Sequence, residues 1–147
     1  MRAKEFRFPV AVEWLGDTRV ITRIEGKREI EPSSPPEFRG KDARIWSPED
    51  FFVAATASCL AITLSGIAER RGLLLHGLEV SGAGVVGMRD DKRYGFTSMR
   101  FLAVVRTDAG QEELAREVAR KAEESCLVAV SLDLPIELEV EVEAAPG

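Results

Sequence analysis

Alternation is the first signal in this chain. Phe6, Phe8, Val10, Val12 and Trp14 fall on one face of an extended segment, with Arg7, Glu13 and smaller residues on the other, which predicts a half-buried strand. Gly16-Asp17 marks a turn, and Val20, Thr22 and Ile24 resume the alternation until Gly26 breaks it. With a short piece at residues 28–31, the N-terminal third reads as an antiparallel meander. Prolines at 32, 35 and 36 stop the pairing and leave a long loop over residues 31–46. Ordered loops of that length are disproportionately functional.

The pattern then changes. Ser47-Pro48-Glu49-Asp50 opens a stretch, residues 51–68, that carries no charge. Ser47 can cap a helix, Pro48 fits its first position, and Glu49 and Asp50 suit its positive end. Gly72 is placed to terminate it after about Arg71. Apolar residues lie on every side, which predicts a helix buried all round. One small sheet struggles to cover such a helix; a homodimer whose sheets wrap two of them solves the burial problem. The stretch reaches the lower length for a membrane span, but Thr56, Ser58, Thr63, Ser65, Gly66 and its alanine content argue against membrane association.

Residues 78–86 and 96–106 read as strands of a long hairpin around the turn Arg89-Asp90-Asp91-Lys92. Asp108 with Gln111 makes a capping box for a second helix, on which Ala115, Ala119, Ala122 and Cys126 recur along nearly one face, so Cys126 points inward. The charges of residues 112–124 are that helix's wet face. After Pro135, Ile136, Leu138, Val140 and Val142 alternate with four glutamates in a closing strand. The reading is one α+β domain over 1–147: strands and loop at 1–46, central helix at 47–72, hairpin at 73–107, second helix and final strand at 108–147.

Composition narrows the function classes. The 147 residues are 45% hydrophobic and 31% charged, which suits a soluble globular domain. Met1-Arg2-Ala3-Lys4-Glu5-Phe6-Arg7 lacks the features of a signal peptide, which places the chain in the cytoplasm, where cysteines are normally reduced. A net charge of −5 without a basic run argues against nucleic acid. Gly82-Ala83-Gly84-Val85-Val86-Gly87 matches a dinucleotide-binding pattern, but no helical periodicity follows, so these glycines let a strand bend or approach another backbone. His76, the only histidine, reads as a turn residue. With none of the usual close ligand spacings, no metal is expected.

The two cysteines remain. Cys59 lies in the uncharged helix and Cys126 beside the second one, so only the fold can bring them together. The ordinary reading of each is a small buried hydrophobe. A thiol in mid-helix gains little from its own helix dipole, so its activation calls for a nearby cation. Arg39, Arg44 and Arg19 lie in or beside loops that could supply one.

Over nearly its whole length the chain resembles the OsmC/Ohr family of thiol-dependent peroxidases. The first motif, Pro-Glu followed by a small residue and cysteine on an alanine-rich helix, stands here as Pro48-Glu49 and Ser58-Cys59-Leu60, continuing through Ala61-Ile62-Thr63-Leu64 and Ala68-Glu69-Arg70-Arg71-Gly72. The second is Glu124-Ser125-Cys126-Leu127-Val128-Ala129-Val130-Ser131-Leu132. The resemblance implies antiparallel sheets wrapped around long central helices in an intertwined homodimer, without cofactor or metal. It implies Cys59 as peroxidatic thiol, Cys126 as resolving thiol, and Glu49 with an arginine polarising the site. Arg39, ten residues before the glutamate, matches the OsmC branch; Arg19 lies nearer the position used in the Ohr branch. Leu127 stands where the better-known branches have proline. Glu49 and Cys59 on one straight helix are about 15 Å apart along its axis, so either the helix breaks or Glu49 and its arginine complete a site across a subunit interface; the second is expected, with two composite sites per homodimer.

The implied reaction is reduction of organic hydroperoxides, and more weakly of hydrogen peroxide, through a Cys59 sulfenic acid and a Cys59–Cys126 disulfide, with an external dithiol such as a lipoyl-bearing protein as reductant. An unshifted thiol is about 3% ionised at pH 7, so full ionisation gains only about thirtyfold, ~2 kcal/mol. The arginine must also stabilise charge on the leaving oxygen. Two other classes fit the same pattern: a small-molecule binder or acyl-thioester enzyme of hot-dog type, which has no need of Cys126, and a structural dimer with inert thiols.

Overall fold

The computed structural model describes residues 3–145; Met1, Arg2, Pro146 and Gly147, which the single-domain reading spans, lie outside the described residues. In chain order the elements are β1 (Ala11–Gly16), β2 (Arg19–Arg23), a 3-10 turn (Pro36–Phe38), α1 (Pro48–Arg71), β3 (Gly77–Met88), β4 (Tyr94–Asp108), α2 (Glu112–Ser125), α3 (Leu127–Val130) and β5 (Ile136–Ala145). The chain divides into two compact units, one ending at Phe52 and the other beginning at Val53.

In the first unit β1 and β2 pair antiparallel, from Ala11 opposite Arg23 to Gly16 opposite Arg19. Two expectations are corrected here. The first strand begins at Ala11 rather than Phe6, and its apolar row is not half-buried: Phe6, Phe8, Val10, Val12 and Trp14 are all exposed, Phe8 by 87%. A two-stranded ribbon has no second layer of its own against which to bury a face. The third strand of the meander shrinks to isolated bridges, Thr22 with Ile30 and Arg19 with Ser33.

The start of α1 is fixed by a reciprocal cap. The Asp50 N–H donates to Ser47 Oγ at 3.1 Å, and the Ser47 N–H donates to Asp50 Oδ2 at 2.8 Å, satisfying donors that a helix end leaves orphaned. At the other end Gly72 takes a φ of +74°. The Leu73 N–H then reaches Ala68 O and the Gly72 N–H reaches Glu69 O, the left-handed termination that glycine permits. Between these ends the helix is unbroken. It is not buried all round: Thr56, Leu60, Leu64, Ile67 and Ala68 form one buried stripe, while Ile62 is 72% exposed. By length and hydropathy, 1.9 over 18 residues, α1 also meets the criteria for a membrane span.

In the second unit the sheet order is β3-β4-β5. β3 and β4 form the expected hairpin, Gly77 opposite Arg106 through Met88 opposite Tyr94. Antiparallel pairing does not extend to β5, which runs parallel to β4 from Met99–Ile136 to Asp108–Ala145. The helices α2 and α3 intervene and return the chain to the same end of the sheet, as a parallel pair requires. The core joins Leu64, Ile67 and Ala68 of α1 to Ala103 and Val105 of β4 and to Ala115, Val118, Ala119 and Ala122 of α2. Small residues on α2 let its backbone sit close to the sheet. A Cβ added at Gly84 would stand 2.7 Å from the Phe96 ring and 2.8 Å from Val53, and β3 continues as strand to Met88. Its glycines therefore serve close approach.

Candidate active site: two thiols at the start of a short helix

Cys126 is the residue at which α2 ends and α3 begins. Its N–H closes α2 on Ala122 O at 2.8 Å. Its backbone then turns to φ −62°, ψ 113°, and the Val130 N–H returns to Cys126 O to close the first turn of α3. The first N–H groups of any helix lack acceptors within it. Those of α3 lie beside two sulfurs. Cys126 itself is fully buried, at the foot of the alanine stripe of α2, as its spacing predicts.

Cys59, on α1, is half-buried and faces this turn; both cysteines are free thiols. Burial works against ionisation of Cys59. It is outweighed by the polar groups that favour the thiolate, the Val128 N–H first, then the Cys126 thiol, the Thr63 hydroxyl and the Leu127 N–H, so that thiol is held below its ordinary pKa. Cys126 is pushed the other way. Burial is the largest cause, partly offset by the Ala129 N–H, and the facing Cys59 sulfur adds to it by hydrogen bond and by charge. The pair thus separates into a donor and an acceptor: Cys59 ionises first, while Cys126 keeps its proton and donates a hydrogen bond to the Cys59 sulfur. Two interacting groups pushed apart in this way are suited to different roles, the one that ionises first being the better placed as nucleophile.

The expectation that Cys59 needs a cation is therefore amended. Four polar groups already favour its thiolate, and two of them are backbone N–H groups that no side-chain motif announces. Thr63 is the other residue missed: its Oγ1 lies 3.9 Å from Cys59 Sγ. Its position four residues after the cysteine is the signal that could have found it.

The remaining candidates belong to the first unit or to its end of α1. Arg19 is committed to Glu31 at 2.8 Å. Arg44 is committed to Asp42, whose carboxyl its guanidinium holds down at about 2. Arg39 ends the 3-10 turn in a left-handed conformation, φ 73°. Its exposed guanidinium makes no hydrogen bond or ion pair among the described residues and contributes only weakly, after Lys41, to lowering the Asp17 pKa. Glu49 keeps one buried carboxylate oxygen, Oε2, without a hydrogen-bond partner among the described residues. The expected capping box between Asp108 and Gln111 does not form. Asp108 instead binds His76 Nε2 at 2.7 Å. The Gln111 side chain accepts from Leu74 N–H and the Thr107 hydroxyl and donates to Gly72 O.

Comparison with known proteins follows the same lines. The model of a family described as OsmC-like protein matches residues 40–141. An uncharacterised protein of Bacillus subtilis (strain 168), YmaD, is 26% identical over 149 residues, covering 97% of both chains. Among solved structures, an OsmC-like protein of unknown function from Vibrio cholerae superposes with a TM-score of 0.85 at 18% identity, over 93% of this chain and 100% of that one. An organic hydroperoxide resistance protein from Elizabethkingia anophelis gives 0.78 at 16% identity, over 98% and 100%. At these identities the structures speak for the fold.

Proposed function

We propose that this chain, which belongs to the OsmC-like family, is a thiol-dependent peroxidase that reduces organic hydroperoxides in the cytoplasm. The observation that carries the reading is the facing pair of thiols with opposite shifts, Cys59 down and Cys126 up. The Cys59 thiolate attacks one oxygen of the peroxide. An S–O bond forms as the O–O bond breaks, and the electron pair leaves on an alkoxide that takes up a proton as alcohol. The resulting sulfenic acid condenses with the Cys126 thiol, releasing water and forming a disulfide. An external dithiol, of which a lipoyl-bearing protein is the proposed example, returns both thiols by exchange.

Glu49 and Arg39 complete the site in a homodimer. A buried carboxylate oxygen without a partner is costly, and a guanidinium with no bond of its own is its natural complement. The exposed apolar row of Phe6, Phe8, Val10, Val12 and Trp14, together with the uncovered side of α1 at Ile62, supports a second copy of the chain as the missing cover. Arg39 then supplies what the N–H groups cannot, charge stabilisation at the leaving oxygen.

The test is a count of free thiols in the fully reduced protein after one equivalent of cumene hydroperoxide, with hydrogen peroxide in parallel. Rapid loss of two thiols per chain, faster with the organic peroxide, is expected. No loss over minutes overturns the reading and leaves a binding or acyl-thioester role to be assayed.

A further inference from the structure

Thr63 stands one turn after Cys59 on α1, and residues four apart share a helix face. A threonine in a helix commonly turns its hydroxyl back on the carbonyl four residues before it. Thr63 instead has the Cys59 sulfur, 3.9 Å from its Oγ1, as its side chain's hydrogen-bond partner among the described residues. The other groups around this sulfur differ in kind. Backbone N–H groups can only donate, and the Cys126 thiol is consumed when the disulfide forms. A hydroxyl can do either: it accepts from Cys59 when the thiol is protonated and donates when the thiolate forms.

We infer that Thr63 is a catalytic residue of this site, the adaptable donor that tunes the Cys59 thiolate by exchanging donor for acceptor as the sulfur ionises. The inference rests on the peroxidase reading for its consequence in turnover, but its effect on the thiolate does not depend on any substrate. Its direction is consistent with the low pKa of Cys59, to which the Thr63 hydroxyl contributes.

A donor to a thiolate acts in two opposed ways. It raises the thiolate fraction, and it lowers the nucleophilicity of each thiolate, with a Brønsted coefficient of about 0.4–0.5. Removing it therefore changes sign with pH. For a bond of this length an upward shift of about half a pH unit is expected when it is lost. Well below the midpoint the variant is then about twofold slower, and well above it about 1.5- to 2-fold faster. A packing defect does not produce such a crossing.

The experiment is the rate of Cys59 alkylation by iodoacetamide in the reduced protein between pH 5 and 10, read by mass spectrometry of the Cys59 peptide, for wild type, Thr63→Val and Thr63→Ser. Thr63→Val matches the shape without the hydroxyl, and Thr63→Ala, a good helix former, replaces it should valine disturb the fold. The expected result is a crossing profile for Val or Ala and restoration by Ser. Superimposable profiles, or equal shifts for Ser and Val, overturn the inference. Consumption of cumene hydroperoxide by the same samples separates the two claims. Wild-type protein that consumes no peroxide overturns the peroxidase reading and the catalytic role with it, whereas wild-type consumption with no crossing overturns only the part assigned to Thr63.

Discussion

Leu127 offers the sharpest test of the backbone donors, because one substitution removes an N–H without removing a side chain from the core. Leu127 is 70% exposed and occupies the first position of α3, where proline's fixed φ is acceptable and its missing N–H breaks no bond within the helix. The residue before it is already suited: Cys126 has φ −62°, ψ 113°, the extended region that proline imposes on its predecessor. Leu127→Pro should therefore fold and lose one of the donors to the Cys59 sulfur. A hydrogen bond to a charged group contributes about 1.5–3 kcal/mol. The Cys59 sulfur is only half-buried, so solvent screening puts this bond below that range, at about 1 kcal/mol, and its loss is expected to move the Cys59 midpoint up by about 0.7 pH units. Thiolate absorbance near 240 nm against pH reads the shift directly, with Leu127→Ala as the control that keeps the N–H. An unchanged midpoint in the proline variant, or an equal rise in the alanine variant, refutes the claim that this backbone group holds the thiolate.

Cys59→Ser should abolish peroxide consumption, while Cys126→Ser should allow one turnover and leave a sulfenic acid that dimedone labels; full activity in the first variant would show that the nucleophile lies elsewhere. Arg39→Ala should lower the second-order rate with cumene hydroperoxide by tenfold or more, about 1.4 kcal/mol or more at the transition state, with little change in the urea midpoint. Should Arg19→Ala have that effect instead, the residue paired with Glu31 is the polarising arginine after all. Because Cys59 is held below the ordinary thiol pKa and Cys126 above it, alkylation of reduced protein should begin at Cys59 and reach Cys126 only at higher pH, and the reverse order would contradict the assigned division of roles. Leu64→Ala, at a fully buried position of the core, should cost about 2–5 kcal/mol of unfolding free energy.

How much of this could be read from the residues depends on which part of the chain carries the chemistry. The ends of α1 were legible because side chains specify them: Ser47 and Asp50 bond each other's backbone, and Gly72 adopts the φ that other residues avoid. The inward face of α2 was legible because alanines and Cys126 recur at helical spacing and are buried together. Burial around the rest of α1 was legible only as a need that one chain does not meet. Apolar composition on all sides says what a helix can bury, whereas Ile62 shows that one chain's sheet covers a single stripe. The capping box at Asp108 failed through competition: His76 takes the carboxylate, and Gln111 bridges three groups from other segments, partners that no local pattern reveals.

The donors to Cys59 failed to show in the sequence for a more general reason. Every residue but proline carries an N–H, so Leu127 and Val128 are unmarked until the helix break at Cys126 leaves their N–H groups without acceptors and turns them on the sulfur. This relocates the question of activation. If four polar donors suffice to lower the Cys59 pKa, an arginine is not required to make the thiolate, and the gain available from ionisation alone stays bounded at about thirtyfold. In the proposed reaction the contribution of Arg39 is then confined to the step in which the O–O bond breaks and charge moves to the leaving oxygen. Loss of Arg39 should consequently leave the Cys59 alkylation midpoint in place while depressing the peroxide rate, and Leu127→Pro should move the midpoint. A large upward shift of the midpoint in Arg39→Ala would show that the guanidinium, and not the start of α3, holds the thiolate.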